Sequence, residues 1–168
     1  MEEWDILNAD RSKTGRISIR GEYLKPGDYH LVVLILMVNA NNEILISQRS
    51  KEKNGAFLWE VCGGAVIAGE NSRQGALREM KEELGIEVDY NCNNGKIVAQ
   101  DTFEEPHGWL ADIWIFNIDE DIENLEFQKE EVINARWSTK EEVISMINKG
   151  EFFKGNVFVE HVFDKGLL

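Results

Sequence analysis

Cysteine is scarce: the chain of 168 residues carries two, Cys62 and Cys92, and neither belongs to a Cys-x-x-Cys pair or a Cys/His cluster of the kind that binds zinc. The two could pair with each other, but free thiols are the expectation. Long hydrophobic runs are also missing. The longest, Leu31 to Val38, is far too short to cross a bilayer, so no membrane segment is expected. The start, Met1-Glu2-Glu3-Trp4-Asp5, has no basic stretch followed by an apolar core. No secretory leader is therefore read there, and the cytoplasm is the expected compartment. Positive charge is outnumbered, with 18 Lys and Arg against 31 Asp and Glu for a net charge of −13. The basic residues are scattered rather than gathered in a stripe, which argues against polymeric DNA or RNA as a ligand. Repeats, low-complexity tracts and linkers are absent as well, so residues 1–168 are expected to share one core as a single domain. Nothing in the sequence excludes a homodimer.

The same negative charge bears on smaller ligands. A small phosphorylated substrate would be repelled by so acidic a surface unless multivalent cations screened the site and became part of it. Metal dependence is thus an expectation before any motif is read.

What is present is a series of short periodic segments. Trp4 to Ala9 and Gly15 to Arg20 flank the turn formers from Asp10 to Gly15, giving an N-terminal hairpin over residues 4–20. After Lys25-Pro26-Gly27-Asp28, the run His30 to Val38 is apolar and β-branched throughout, as in a strand buried on both faces at the centre of a sheet. A turn at Asn39-Ala40-Asn41-Asn42 leads to a paired strand over Glu43 to Gln48, a meander, followed by a polar loop from Arg49 to Gly55. Ser72 to Leu84 reads as a helix capped by Asn71 or Ser72 and ended by Gly85. Further strands are expected over Lys96 to Phe103, Leu110 to Asn117 and Ile133 to Trp137. A second helix starts at Ser138 or Thr139 and ends before Gly150. Strands with two helices on one core fit an α-β-α sandwich of the α/β (α+β) class with a mixed β-sheet.

The first helix carries the chemistry. Leu77, Met80 and Leu84 fall at i, i+3 and i+7 and line a core-facing stripe. Glu79, Glu82 and Glu83 fall at i, i+3 and i+4, so three carboxylates gather on the face roughly opposite, with Arg78 to one side. The like pair Glu79 and Glu83 costs a few tenths of a kcal/mol on a plain helix, so something must offset it. Hard divalent cations do so: Mg²⁺ commonly bridges one or two protein carboxylates to phosphate oxygens. The bland alternative is a solvated acidic face in an acidic chain.

Spacing decides between the two. Gly64, Glu70, Arg78, Glu79, Met80, Glu82, Glu83, Gly85 and Ile86 follow one another as Gly, five residues, Glu, seven residues, Arg-Glu, apolar, any, Glu-Glu, any, Gly, apolar. This resembles the Nudix box at every fixed position. Chance would produce it with odds on the order of 10⁻⁵ at such compositions. The flanking strands and Ala135-Arg136-Trp137 before a Glu-rich helix extend the likeness over most of the chain.

The resemblance implies a Nudix-type sandwich and a hydrolase, dependent on Mg²⁺ or Mn²⁺, that cleaves a diphosphate bond in a small nucleoside-diphosphate-linked molecule by water attack on phosphorus. It implies metal ligation by Glu79, Glu82, Glu83 and the carbonyl of Gly63. Gly64, Glu70 and Gly85 are structural, and Arg78 orients a catalytic glutamate. Arg49 either contacts phosphate, as an arginine in this place does in relatives, or is a plain surface residue. Glu131 matches a loop where many members carry a general base, or is an exposed acid; Glu79 is the other candidate base. Cys62 replaces the proline that nucleotide-cleaning members often have before the paired glycines, so their base contacts do not transfer. Trp59, Trp109, Trp114 and Trp137 could stack on a base, but such residues more often pack in cores, and none is assigned. Two rivals share the fold. Isopentenyl diphosphate isomerases resemble the N-terminal stretch but carry a cysteine segment that is out of register here. A nucleotide-sensing module without catalysis would have a degenerate box.

Overall fold

The computed structural model describes residues 2–104, 108–153 and 158–166. Strands β1 (Glu3–Leu7) and β2 (Lys13–Ile19) form a two-stranded antiparallel sheet. Seven further strands, β3 (His30–Val38), β4 (Ile44–Arg49), β5 (Trp59–Glu60), β6 (Cys62–Ala65), β7 (Gly95–Phe103), β8 (Trp109–Asn117) and β9 (Val132–Ser138), make one mixed sheet. Helices α1 (Ser72–Leu84), α2 (Lys140–Lys149) and α3 (Phe158–Asp164) cover it.

β3 is the spine, and its continuous apolar run has the reason expected of it. Val33, Ile35 and Met37 point to the face covered by Ala76, Met80 and Leu84 of α1. Leu34, Leu36 and Val38 point to the face covered by Val143 and Met146 of α2 and by α3. Alternate side chains thus feed two separate cores, and each fully buried Leu, Ile or Met contributes about 1.5–3 kcal/mol. The result is a mixed α+β sandwich.

Local signals placed the helix ends. Asn71 accepts from the N–H of Gln74 while the Gln74 side chain accepts from the N–H of Asn71, and Gly85 ends α1 in the left-handed region at φ 73°. Thr139 and Gly150 do the same for α2. Cys62 is buried, Cys92 exposed, and both are free thiols.

Two expectations need correction. β4 meets β3 at one pair only, Val38 with Ile44. Its length pairs instead with β9, from Ile44–Ser138 to Arg49–Val132, so no simple meander forms. The reason is that a strand has two edges: β3 gives one to β8, in parallel from His30–Trp109 to Val38–Asn117, and the first half of the other to β6. The second correction is a third helix. α3 has seven residues, too few for a visible helical period, yet Phe158, Val159, Val162 and Phe163 complete the second core.

The hairpin is fastened to the rest of the fold by the main-chain bridge between Leu7 and Tyr29 and by one long-range arginine. Arg11, at φ 70° in the turn, donates to the buried carboxylate of Asp112 at 2.5 Å and to the carbonyl oxygens of Ala111 at 3.0 Å and Asp101 at 3.2 Å. No helix among the described residues is long and apolar enough to cross a membrane.

Candidate active site

Close approach of backbone requires glycine at 63, and at 64 it makes room for a side chain. A Cβ on Gly63 would lie 2.3 Å from the carbonyl oxygen of Val33, so any side chain would force β6 away from β3. A Cβ on Gly64 would lie 2.4 Å from Oε1 of Glu79. Glycine at 64 therefore lets the helix carboxylate rest directly on the backbone of β6.

Arg78 organises the acids around it. Its Nε donates to both oxygens of Glu70 at 3.1 and 3.2 Å, and its Nη1 donates to Glu79 at 2.7 Å and Glu82 at 3.0 Å. Nη2 donates to the carbonyl of Ala65 at 2.8 Å. One guanidinium fork thus fixes the rotamers of three carboxylates and ties α1 to the end of β6.

The three box glutamates lie in three different environments. Glu82 is half exposed and Glu79 nearly covered, with side-chain exposures of 53% and 12%. Glu83 is buried like Met80 and Leu84, which corrects the expectation that all three carboxylates gather on the face opposite the apolar stripe. Burial raises the pKa of Glu79 even though Arg78 opposes the shift. Burial pushes that of Glu83 up to about 7 against the pull of Lys53, with Glu60 and Glu79 adding repulsion. Next to it, burial and the neighbouring carboxylates push the Cys62 thiol well above its ordinary value.

Two groups at this end, Lys53 and Glu60, carried no motif. Lys53, in the polar loop after β4, donates from Nζ to Glu131 at 2.7 Å, Glu60 at 3.1 Å and Glu83 at 3.4 Å. Burial opposes its charge, but the three anions raise its pKa nonetheless. Glu60 in turn accepts from Arg49. Arg49 is buried, also donates to the carbonyl of Asn54 at 2.7 Å, and lies 3.9 Å over the ring of Phe153. It is not a plain surface residue. Glu131 is reached from far along the chain because its carbonyl accepts from the N–H of Ser50 at 2.8 Å, docking the turn before β9 against the end of β4.

Lys53, Arg49 and Glu131 line, with the box residues, one cavity of about 440 Å³, which runs from Lys53, Glu83 and Glu131 past Gly63 and Gly64 to Trp4 and His30. The sequence-predicted residues Arg49, Gly63, Gly64, Arg78, Glu79, Glu82, Glu83 and Glu131 all reach its wall; Glu70 and Gly85 support it from outside. A separate cavity of about 390 Å³, lined by Asn42, Asn94 and Asn117, lies at the far end of β3 and has no carboxylate.

Among the described residues, no three His, Cys, Asp or Glu groups converge at metal-ligand spacing. Arg78 holds Glu79 and Glu82, and Lys53 takes Oε1 of Glu83. The donor set nonetheless fits a hard cation, because Oε2 of Glu83 is buried without a hydrogen-bond partner.

Fold and site together define a class. The family model described as the NUDIX domain matches residues 28–160, and the chain belongs to the Nudix hydrolase family. An uncharacterized Nudix hydrolase of Listeria monocytogenes is 42% identical over 154 residues, 90% of this chain and 88% of that protein. An RNA pyrophosphohydrolase of Rickettsia conorii is 28% identical over 138 residues, 71% of this chain and 80% of that protein. A crystal structure from Deinococcus radiodurans shares the fold at a TM-score of 0.76 and 22% identity, covering 95% of this chain and 98% of that one.

Proposed function

We propose that this chain is a Mg²⁺- or Mn²⁺-dependent hydrolase that splits a diphosphate bond in a small nucleoside-diphosphate-linked molecule in the cytoplasm. The observation that carries the reading is the buried, unpartnered Oε2 of Glu83 beside the Arg78-organised carboxylates in a single cavity. Glu79, Glu82, Glu83 and the carbonyl of Gly63 would hold the cation, which supplies charge neutralisation of the diphosphate and acidification of a bound water. Arg78 keeps Glu79 and Glu82 in place, and Glu70 keeps Arg78 in place. Glu131 takes the proton of the attacking water, with Lys53 restraining its carboxylate; Glu79 is the alternative base. Arg49 reaches the same cavity, where its guanidinium can meet phosphate while bracing Glu60. The relative named RNA pyrophosphohydrolase supports the type of bond, and the net charge of −13 favours a small substrate over a polymer.

The test is incubation of purified protein with a panel of nucleotide and isoprenoid diphosphates with and without Mg²⁺. Metal-dependent release of a monophosphate or phosphate product is expected. Conversion of isopentenyl to dimethylallyl diphosphate would instead establish the isomerase reading, and binding without any turnover would establish a sensing module.

A further inference from the structure

The sequence contains two Asn-Gly steps, Asn54-Gly55 and Asn94-Gly95. Such a step is reactive, because glycine has no side chain to keep its main-chain nitrogen away from the side-chain amide that precedes it. Attack by that nitrogen on the asparagine Cγ closes a five-membered succinimide and expels ammonia. The fold treats the two steps differently.

Asn94-Gly95 is locked. Gly95 opens β7 and pairs with Phe116, whose ring lies 2.3 Å from where a Cβ on Gly95 would be. The carbonyl of Asn94 accepts from the N–H of Asn117 at 2.9 Å, and its Nδ2 donates to the carbonyl of Asn117 at 3.4 Å. Bringing the Gly95 nitrogen onto Cγ would break the start of the β7–β8 ladder.

Asn54-Gly55 lies in the loop between β4 and β5, and Asn54 is exposed. Glycine is needed at 55, where φ is 70° and a Cβ would lie 2.7 Å from the Phe153 ring. Among the described residues neither the side-chain amide of Asn54 nor the N–H of Gly55 has a hydrogen-bond partner. The carbonyl oxygen of Asn54 does have one: it accepts from Nε of Arg49 at 2.7 Å. That carbonyl belongs to the peptide group whose nitrogen is the nucleophile. A cation held on it favours loss of the Gly55 N–H proton, which must leave before the nitrogen can attack.

We propose that Asn54 is a self-modification site, at which the main-chain nitrogen of Gly55 displaces the side-chain amide and the active-site loop ages to isoaspartate or aspartate. The N–Cγ bond forms as the bond from Cγ to the amide nitrogen breaks; the Gly55 proton passes to water, and the leaving group takes a proton from water and departs as ammonia. Water then adds to one of the two ring carbonyls and cleaves its bond to the nitrogen. Opening at Cγ gives aspartate. Opening at the old main-chain carbonyl, the one Arg49 polarises, gives isoaspartate. Water is the sole co-reactant. In isoaspartate the chain runs through Cγ, one carbon longer, and the oxygen that Arg49 holds becomes part of a free carboxylate. Arg49 then has a new anion competing with Glu60, and the loop is lengthened beside Lys53 and its contacts with Glu60, Glu83 and Glu131. The modification stands apart from the diphosphate-hydrolase reading; its consequence for turnover rests on that reading.

The test keeps the full-length protein in warm, mildly alkaline buffer, either folded or in guanidinium chloride, and maps digests by mass spectrometry over time. Isoaspartate is identified by enzymatic methylation of its free carboxylate. In guanidinium chloride both steps should gain about one dalton at similar rates. In the folded protein Asn54 should continue to change while Asn94 slows at least severalfold. Asn54→Gln should remove the change at that position, since its longer side chain must close a larger ring, and it keeps the main-chain carbonyl that Arg49 holds. Anion exchange should separate aged from fresh wild type by the added charge. The aged fraction should show a KM for a diphosphate substrate raised severalfold, and Asn54→Gln incubated equally long should not. Folded protein in which Asn54 stays as intact as Asn94, or in which Asn94 changes first, overturns the proposal. Modification of Asn54 with KM unchanged overturns its consequence for the site. Absence of turnover in fresh protein overturns the hydrolase reading and leaves the mass result to decide the modification.

Discussion

At one end of the cavity Lys53, Arg78, Glu79 and Glu83 line the wall, with Glu60 ion-paired to Lys53 behind it; at the other, two rings lie flat on each other and the charges, Glu2 and Arg20, stay near the surface. The first end concentrates anions that only cations can reconcile. The second has no cluster of like charge. The contrast teaches where the proposed bond cleavage would sit: at the charged end, whose geometry is fixed by several ion pairs, and not at the hairpin end.

The largest expected effect follows from the charged end. Excess chelator should reduce diphosphate hydrolysis to background, with recovery on adding Mg²⁺ or Mn²⁺, because the carboxylates repel an anionic substrate without a cation. Full activity in chelator sinks the reading of that end. Next, Glu83→Gln should lower kcat by about a hundredfold or more. The fold should survive even though Glu83 is buried, because its Oε2 has no partner to lose. In thermal melts the metal-free variant should unfold no earlier than the wild type, while the upward shift produced by Mn²⁺ shrinks. A variant with unchanged kcat and an unchanged metal-induced shift removes Glu83 from the site.

A smaller effect divides the two candidate bases. Glu131→Gln should depress kcat about tenfold or more at saturating metal and substrate, while the loss in Glu79→Gln should be partly recovered at high Mg²⁺, as fits a ligand. An unchanged kcat and pH profile in Glu131→Gln would make it an ordinary acid restrained by Lys53 and leave Glu79 as the base. The smallest effect on turnover is expected at the hairpin. Arg11→Ala leaves Asp112 buried without its cation and should cost on the order of 1–3 kcal/mol of stability, readable as a lower denaturant midpoint. Because the hairpin lines the cavity without carrying a box carboxylate, KM should rise severalfold with kcat nearly unchanged. An equal fall in kcat would break the proposed separation of the two ends.

How much was legible differs between these regions for the same reason. Gly64 to Ile86 is a local pattern, in which spacing along one helix and its entry loop fixes which side chains share a face. Glu79, Glu82 and Glu83 could therefore be named as a group with Arg78. Their unequal burial could not, because it depends on Lys53 and Cys62 from other elements. Arg49 was noticed as a strand-end arginine, but its burial against Glu60 and Phe153 is a tertiary fact. Lys53 gave no signal in a polar loop, and Trp4 gave none beyond being near the start of a strand.

By itself the sequence determined the apolar spine at His30 to Val38, the two capped helices and the box, since each is written in residues within a few turns or one strand of each other. Only the tertiary structure decided that β4 pairs with β9, that Lys53 joins Glu60, Glu83 and Glu131, and that Trp4 lies on His30 at the mouth of the same cavity. Those contacts join residues far apart in the chain. Edge competition in the sheet and the pairing of buried charges select them, and neither leaves a period in the sequence.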